Sequence, residues 1–329
     1  MAAAGAGILL RRALVLLALA CAWGPVAAHE LRLAVSHGPV SLPVYVAEAQ
    51  GHFAAEGVAV RLLECASGRQ CFERLAQGQA DLATAAELLV TLDRFRGDER
   101  VIVATLSQSA RQIKLVARGA GGALAPERLR GLRIGTAAGT SAQYFLDTWL
   151  LYHGLDPRGI DPVALPPDQL VGALQRREID AVAIWEPIAS AARAALGADA
   201  AVLPHARVYT QHFSLIANRR LVAEREPELL ALLRALVRAE RFIAERPADA
   251  RRILQQRLGI DAALAAAAWD EHDFRLRIDQ SLITTMDSQA RWAVREGLVE
   301  ARRPPARLLQ AIEVEPLRKV APGAVDLLQ

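Results

Sequence analysis

The chain alternates short apolar strands with helices over its first two thirds, and this alternation constrains the fold more than any other feature. Leu31, Leu33 and Val35 alternate with Arg32, Ala34 and Ser36, the period of a strand. His37-Gly38-Pro39 reads as a loop, and Pro43 suits the first turn of a short helix that Gly51 closes. Val58 to Leu63 predicts the next strand, and Gln70 to Gln77 a helix ended by Gly78. Asp81 to Thr84 follows as a strand, Glu87 to Arg94 as a helix, and Val101 to Thr105 as a fourth strand. This spacing builds βαβ units, and therefore an α/β fold with mostly parallel sheets.

After an extended crossing segment at Ile113 to Ala117, a second series begins with Leu132 to Thr136. Gly139-Thr140-Ser141 opens a helix that Gly154 stops, Val163 to Leu165 is a strand, Asp168 to Arg176 a helix, and Ala181 to Trp185 a strand. Ala201 to Leu203 and Phe213 to Ala217 are further short strands. From Pro227 the chain turns helical, with Leu229, Leu232, Leu233, Leu236 and Val237 on one face. Leu75 to Thr84 in the first series echoes Leu174 to Ala183 in the second, each a helix end, a turn and a strand opening with Asp. Two similar α/β lobes produce such an echo.

The 329 residues are 53% hydrophobic, which excludes disorder and leaves ample material for two domains. The 39 basic and 36 acidic residues are interleaved, without the basic block a nucleic-acid surface requires. Residues 1–28 contain no acid: Arg11 and Arg12 precede an apolar run from Ala13 to Trp23, and Val26-Ala27-Ala28 supplies small residues for cleavage before His29. That is the pattern of a secretory signal peptide, too short for a permanent span. Ala18-Leu19-Ala20-Cys21 loosely resembles a lipoprotein box, so a lipid anchor at Cys21 is the alternative. Cleavage after Ala28 leaves 37 basic and 36 acidic residues, a net +1. In an oxidising compartment Cys65 and Cys71 read as a local disulfide; metal binding lacks partner ligands, since no His lies nearby.

No nucleophile-elbow, phosphate-loop, dinucleotide or zinc-protease motif is present, and the histidines are scattered singly. Glu271-His272-Asp273 reads as a solvated charged face. We therefore expect no catalytic residues, no cofactor and no metal. Open α/β sheets place ligands at the carboxyl ends of their strands. Those ends carry Ser36 and His37, Thr84 and Ala85, Ser107 and Gln108, small polar groups suited either to a ligand or to helix capping. Gly139-Thr140-Ser141 points free N–H groups and a positive dipole end outward, which favours an oxyanion, with Gln143 and Tyr144 one turn away. Trp185-Glu186 offers a flat wall beside a carboxylate.

Several stretches together resemble the periplasmic substrate-binding proteins of nitrate, sulfonate and taurine ABC importers, which include binders of thiamine-pyrimidine precursors. They are Ser41 to Gly57, Leu75 to Thr84, Leu129 to Gly135, Gly139 to Leu146, and Ile179 to Pro187, followed by Pro227 to Glu245 and Leu282 to Leu298. The resemblance implies a type II periplasmic binding protein fold, two α/β lobes joined by crossing strands. Lobe one would be 29–112 plus 216–329, and lobe two 113–215. The ligand would meet the loop from Ser36 to Leu42, the strand ends Thr84-Ala85 and Ser107-Gln108, and the Thr140-Ser141 helix start, with Trp185 and Glu186 opposite. Implied partners are a small anionic solute, a membrane permease and its ATPase, for a monomer without nucleic acid. Glu186 would suit a positive ligand group, as in taurine, although that segment is usual in relatives with other ligands. Arg177 departs from the glycine usual at its turn, and the cysteine pair is not general to the family. Two other readings stay open: an enzyme of this fold related to thiamine-pyrimidine synthesis, and a sensor presented to a membrane receptor.

Overall fold

The computed structural model describes residues 30–97, 100–119, 124–204, 207–300 and 308–327. The expected export segment, with Cys21, lies outside the described residues. Two five-stranded sheets carry the fold. The chain first lays down β1 (Leu31–Ser36), β2 (Val60–Cys65), β3 (Leu82–Ala86) and β4 (Arg100–Ser109). It then crosses to β5 (Ile113–Arg118), β6 (Arg133–Thr136), β7 (Asp161–Ala164), β8 (Ala181–Trp185) and β9 (Ala200–Val202). It returns as β10 (Gln211–Asn218), which enters the first sheet between β3 and β4. The anticipated boundary at 215/216 therefore falls inside a strand of that sheet.

The strand orders are β2-β1-β3-β10-β4 and β7-β6-β8-β5-β9. In each, three strands run parallel and the fourth is antiparallel. The echo noted above is thus a repeated architecture. Asp81 accepts the Arg32 backbone N–H at 2.8 Å and grips its guanidinium; Asp180 does the same for Arg133, with the backbone bond at 3.0 Å.

Helices α1 (Leu42–Ala49), α2 (His52–Ala55), α3 (Gly68–Ala76) and α4 (Glu87–Arg94) belong to the first series. The second series contributes α5 (Ser141–Tyr152), α6 (Pro167–Gln175) and α7 (Ile188–Leu196). α3 starts two residues earlier than its pattern predicts, because Ser67 caps it by accepting from the Gln70 N–H. After β10 come α8 (Arg219–Glu224), α9 (Glu226–Glu245), α10 (Pro247–Leu258) and α11 (Ala262–Glu271). A short parallel pair, β11 (Ile278–Asp279) and β12 (Val325–Asp326), brackets α12 (Gln280–Arg295) and α13 (Glu315–Val320).

Each sheet has its own apolar core. Leu31, Leu33 and Ile102 pack with Leu229, Leu232 and Leu236 of α9, the face the sequence predicts. Fully burying each such leucine contributes about 1.5–3 kcal/mol. Phe145, Trp149 and Ile184 form the second core. α12 serves both: Leu282 and Met286 enter the first, Trp292 and Ala293 the second.

Candidate functional site

A cavity with ≈ 40 Å³ of water-accessible space, open on one side to solvent, lies where the strand ends of both sheets face each other. From the first sheet come Ser36, His37, Gly38, Val40, Ala86 and Leu89; from the second, Thr140, Ser141, Trp185 and Glu186. Gln112 and Gln211 line it where the chain crosses between the sheets, beside Phe213, and the first turn of α3 adds Gly68 and Arg69. The structure thus brings Ser36, His37, Thr140, Ser141, Trp185 and Glu186 together around one cavity.

The other expected residues do not line this cavity, for reasons visible in their bonding. Leu42 is fully buried in the first core. Thr84 Oγ1 accepts from the Ser36 N–H at 2.9 Å, and Ala85 lies beneath Gly68. Ser107 donates to the Val40 carbonyl, while Gln108 turns away to bond Asp279 and Arg277. Gly139 and Gln143 shape the turn, the glycine N–H donating to Gln143 Oε1 at 2.7 Å. Tyr144 packs edge-on against Tyr209 and Trp292, with ring centroids 5.0 and 5.3 Å away. Hydroxyls and amides near strand ends are consumed internally before any ligand arrives.

Thr140 and Ser141 divide the work at the start of α5. Thr140 is an N-cap, donating to the Ala137 carbonyl at 2.6 Å and accepting from the Ala142 N–H. Ser141 Oγ accepts from Gln211 Nε2 at 2.8 Å, joining the two sheets across the cavity. Gln211 Oε1 is buried and has no partner among the described residues. Both Glu186 oxygens have partners within the protein: Lys114 Nζ lies 2.8 Å from one, and the Ser190 N–H donates to the other at 2.9 Å. Lys114 also reaches both oxygens of Glu271 at 2.7 Å.

Arg69 is the functional candidate that sequence reasoning missed. Its Nη2 donates across the cavity to the carbonyls of Ala138 and Gly139, and Glu73 lies 3.9 Å from its other terminal nitrogen. Burial lowers its pKa from the usual arginine value, yet guanidinium remains charged at neutral pH. A Cβ at Gly139 would sit 2.9 Å from that nitrogen at a φ of +63°, so this approach requires glycine. Gly68 permits a second close approach: a Cβ there would fall 3.1 Å from Ala85 Cα. The sequence marks Gly139 as the opening of a helix; only the tertiary contacts show what the two glycines further permit.

Two titratable groups lie just behind the cavity wall. Glu87 is fully buried, and accepts from Tyr209 Oη and Gln289 Nε2 at 2.6 Å and from the His212 N–H at 2.9 Å. Burial pushes its pKa up to about 7, against the lowering effect of those donors. His272 is half-buried, with both ring nitrogens occupied: Nδ1 meets the Ala268 carbonyl and Nε2 the Gln112 side chain, both at 2.6 Å. Desolvation lowers its pKa to about 4. Cys65 and Cys71 are buried free thiols in this structure, not a closed disulfide. Among the described residues no group of three His, Cys, Asp or Glu side chains is placed to hold a metal.

The arrangement suits capture of a small anion: a guanidinium and a helix N-terminus face one cavity, above an apolar floor of Val40, Ala86, Leu89 and Phe213. The fold is that of the periplasmic binding proteins. The aliphatic sulphonate-binding protein SsuA from Escherichia coli superposes with a TM-score of 0.74 at 19% identity, over 86% of this chain and 92% of its own. The nitrate-binding protein NrtA from Synechocystis PCC 6803 gives 0.72 at 15%, over 90% and 89%. The desulfurization enzyme DszB gives 0.64 at 16%, over 89% and 99%, so binding proteins and an enzyme share this architecture. No curated protein sequence matches the chain. Residues 38–250 match the NMT1/THI5-like family, and the chain belongs to that family.

Proposed function

We propose that the protein is the extracytoplasmic solute-binding component of an ABC importer, taking up a small anion between its two sheets and handing it to a permease driven by an ATPase. The observation that carries this reading is Arg69 reaching from α3 to the Gly139 turn at the start of α5, over a cavity both sheets line. An anion there meets a guanidinium from one side and a helix N-terminus from the other. A ligand touching both walls stabilises the closed arrangement over an open one. The moving bodies are the two sheets with their helices, the discontinuous lobe taking all of β10.

Relatives that bind sulphonates and nitrate support an oxyanion. The apolar floor favours an organic body, and Lys114, shared between Glu186 and Glu271, offsets one of the two carboxylates beside the cavity. An organosulfonate or related carboxylate is the favoured class. The enzyme reading is weaker, because Ser141 Oγ is bonded to Gln211 and not to a base. No helix among the described residues is long and apolar enough to cross a membrane. Residues 1–28 supply export to the periplasm by cleavage after Ala28, with lipidation at Cys21 as the second route.

Thermal-shift and calorimetric titration with alkanesulfonates, nitrate, taurine and carboxylates tests the assignment. Arg69→Ala, which removes a charge-assisted donor, and Ser141→Asp, which sets a repelling carboxylate at the helix start, are each expected to weaken the best ligand at least about tenfold. Undiminished affinity in both folded variants would overturn the site, and turnover of a ligand would revive the enzyme.

A further inference from the structure

We propose that Cys65 and Cys71 are a redox-modification site, a dithiol that closes to a disulfide and so holds the Arg69 loop against the cleft; the effect on ligand rests on the anion-cleft reading above. Cys65 ends β2, where its carbonyl accepts from the His37 N–H at 2.8 Å, and Cys71 lies in the opening turns of α3. Both side chains are buried in the first core within interaction range of each other, and Cys65 Sγ also donates to the Leu63 carbonyl at 3.5 Å. The segment between them carries Gly68 and Arg69, both at the cavity wall.

What fixes that segment in the dithiol form is a set of short-range hydrogen bonds. The Ala66 N–H donates to Gln70 Oε1 at 2.7 Å, and Ser67 caps the helix from 3.3 Å. Arg69 then spans the cavity from this base to the Ala138 and Gly139 carbonyls. A covalent link between the end of β2 and the start of α3 would clamp both ends of the loop. So short a ring removes little freedom from the unfolded chain, so its main effect is local.

The chemistry balances with an external disulfide as oxidant, a protein oxidoreductase or an oxidised small thiol. The thiolate of Cys65 attacks it, releasing one thiol and leaving a mixed disulfide; Cys71 then attacks the Cys65 sulfur and releases the second. Two cysteine thiols lose two protons and two electrons, one S–S bond forms, and the oxidant's S–S bond breaks. Because both sulfurs are buried in the folded chain, the exchange belongs to folding after export.

The test uses the full exported chain purified without reductant. Alkylation after unfolding should leave Cys65 and Cys71 unmodified until a reductant is added; modification of both without it overturns the proposal. Hydrogen exchange at 66–71 and 137–141 should speed up on reduction and in Cys65→Ser/Cys71→Ser, and the 137–141 response should vanish in Arg69→Ala. Unchanged exchange at both segments also overturns it. Affinity for butanesulfonate should fall about tenfold on reduction through lost preorganisation, but not in Arg69→Ala. Should butanesulfonate bind neither form, the cleft reading fails while alkylation and exchange still decide the redox site.

Discussion

Glu87 and Glu186 occupy the same place in the two sheets, each six residues after the aspartate that opens the strand. Their surroundings differ completely. Glu87 receives three neutral donors, brought by α12 and by the chain entering β10, and burial raises its pKa to about 7. Glu186 receives an ammonium, Lys114 on β5. The repeated plan fixes where a carboxylate sits, and the elements added around each sheet decide what it does. One glutamate becomes proton-labile near the crossing strands; the other shares one ammonium with Glu271 at the cavity edge.

The largest test of this comparison strikes the helix that the two halves share. Trp292→Ala should destabilise the chain by about 3–5 kcal/mol, through the cavity left in the second core. Because α12 also fills the first core, urea unfolding should remain one transition at a lower midpoint. A split into two, with exchange in β1 unmoved, would show the halves to be independent.

Next in size is the contrast between the glutamates. The raised pKa of Glu87 means its contribution is fully present below about pH 4.5 and lost as pH rises through about 7. Relative to Glu87→Gln, the wild type should lose about 3 kcal/mol between those limits, measured by denaturant midpoints across pH. Glu186→Gln should leave that slope in place. Equal slopes in wild type and Glu87→Gln would break the distinction.

The smallest effect concerns Ala34 and Gly135, matched positions on β1 and β6. A Cβ at Gly135 would lie 2.5 Å from Ile179 Cδ1 and 2.9 Å from Leu170 Cδ2. Gly135→Ala should cost about 1–3 kcal/mol by overpacking, and Ala34→Gly about 0.5–1 kcal/mol by added backbone freedom. A neutral Gly135→Ala in thermal unfolding would show that α6 yields more readily than its packing suggests.

Much of the fold was legible because its signals are local. Alternation placed β1 and β8, apolar spacing placed α9, and the Asp81 and Asp180 echo exposed the repeat. At the cleft, the helix start at Thr140-Ser141 and the strand ends at Ser36 and Trp185 were legible for the same reason. Arg69 and Gln211 were not, since their partners, Gly139 and Ser141, are each 70 residues away in sequence. Ser107 and Thr84 misled in the opposite direction: a strand-end hydroxyl looks available until the neighbouring backbone group that uses it is known. No local pattern distinguishes the two cases.

The late arrival of β10 has a consequence for how the molecule is made. Every strand of the second sheet lies between residues 113 and 202, one uninterrupted stretch, whereas the first sheet must wait for residues 211–218 to fill the gap between β3 and β4. A chain emerging amino end first therefore has all the strands of its second half while the first half still exposes two bare strand edges. Those edges are where a newly made chain would pair wrongly with another copy, so the interval before β10 emerges is when a holding factor protects it most.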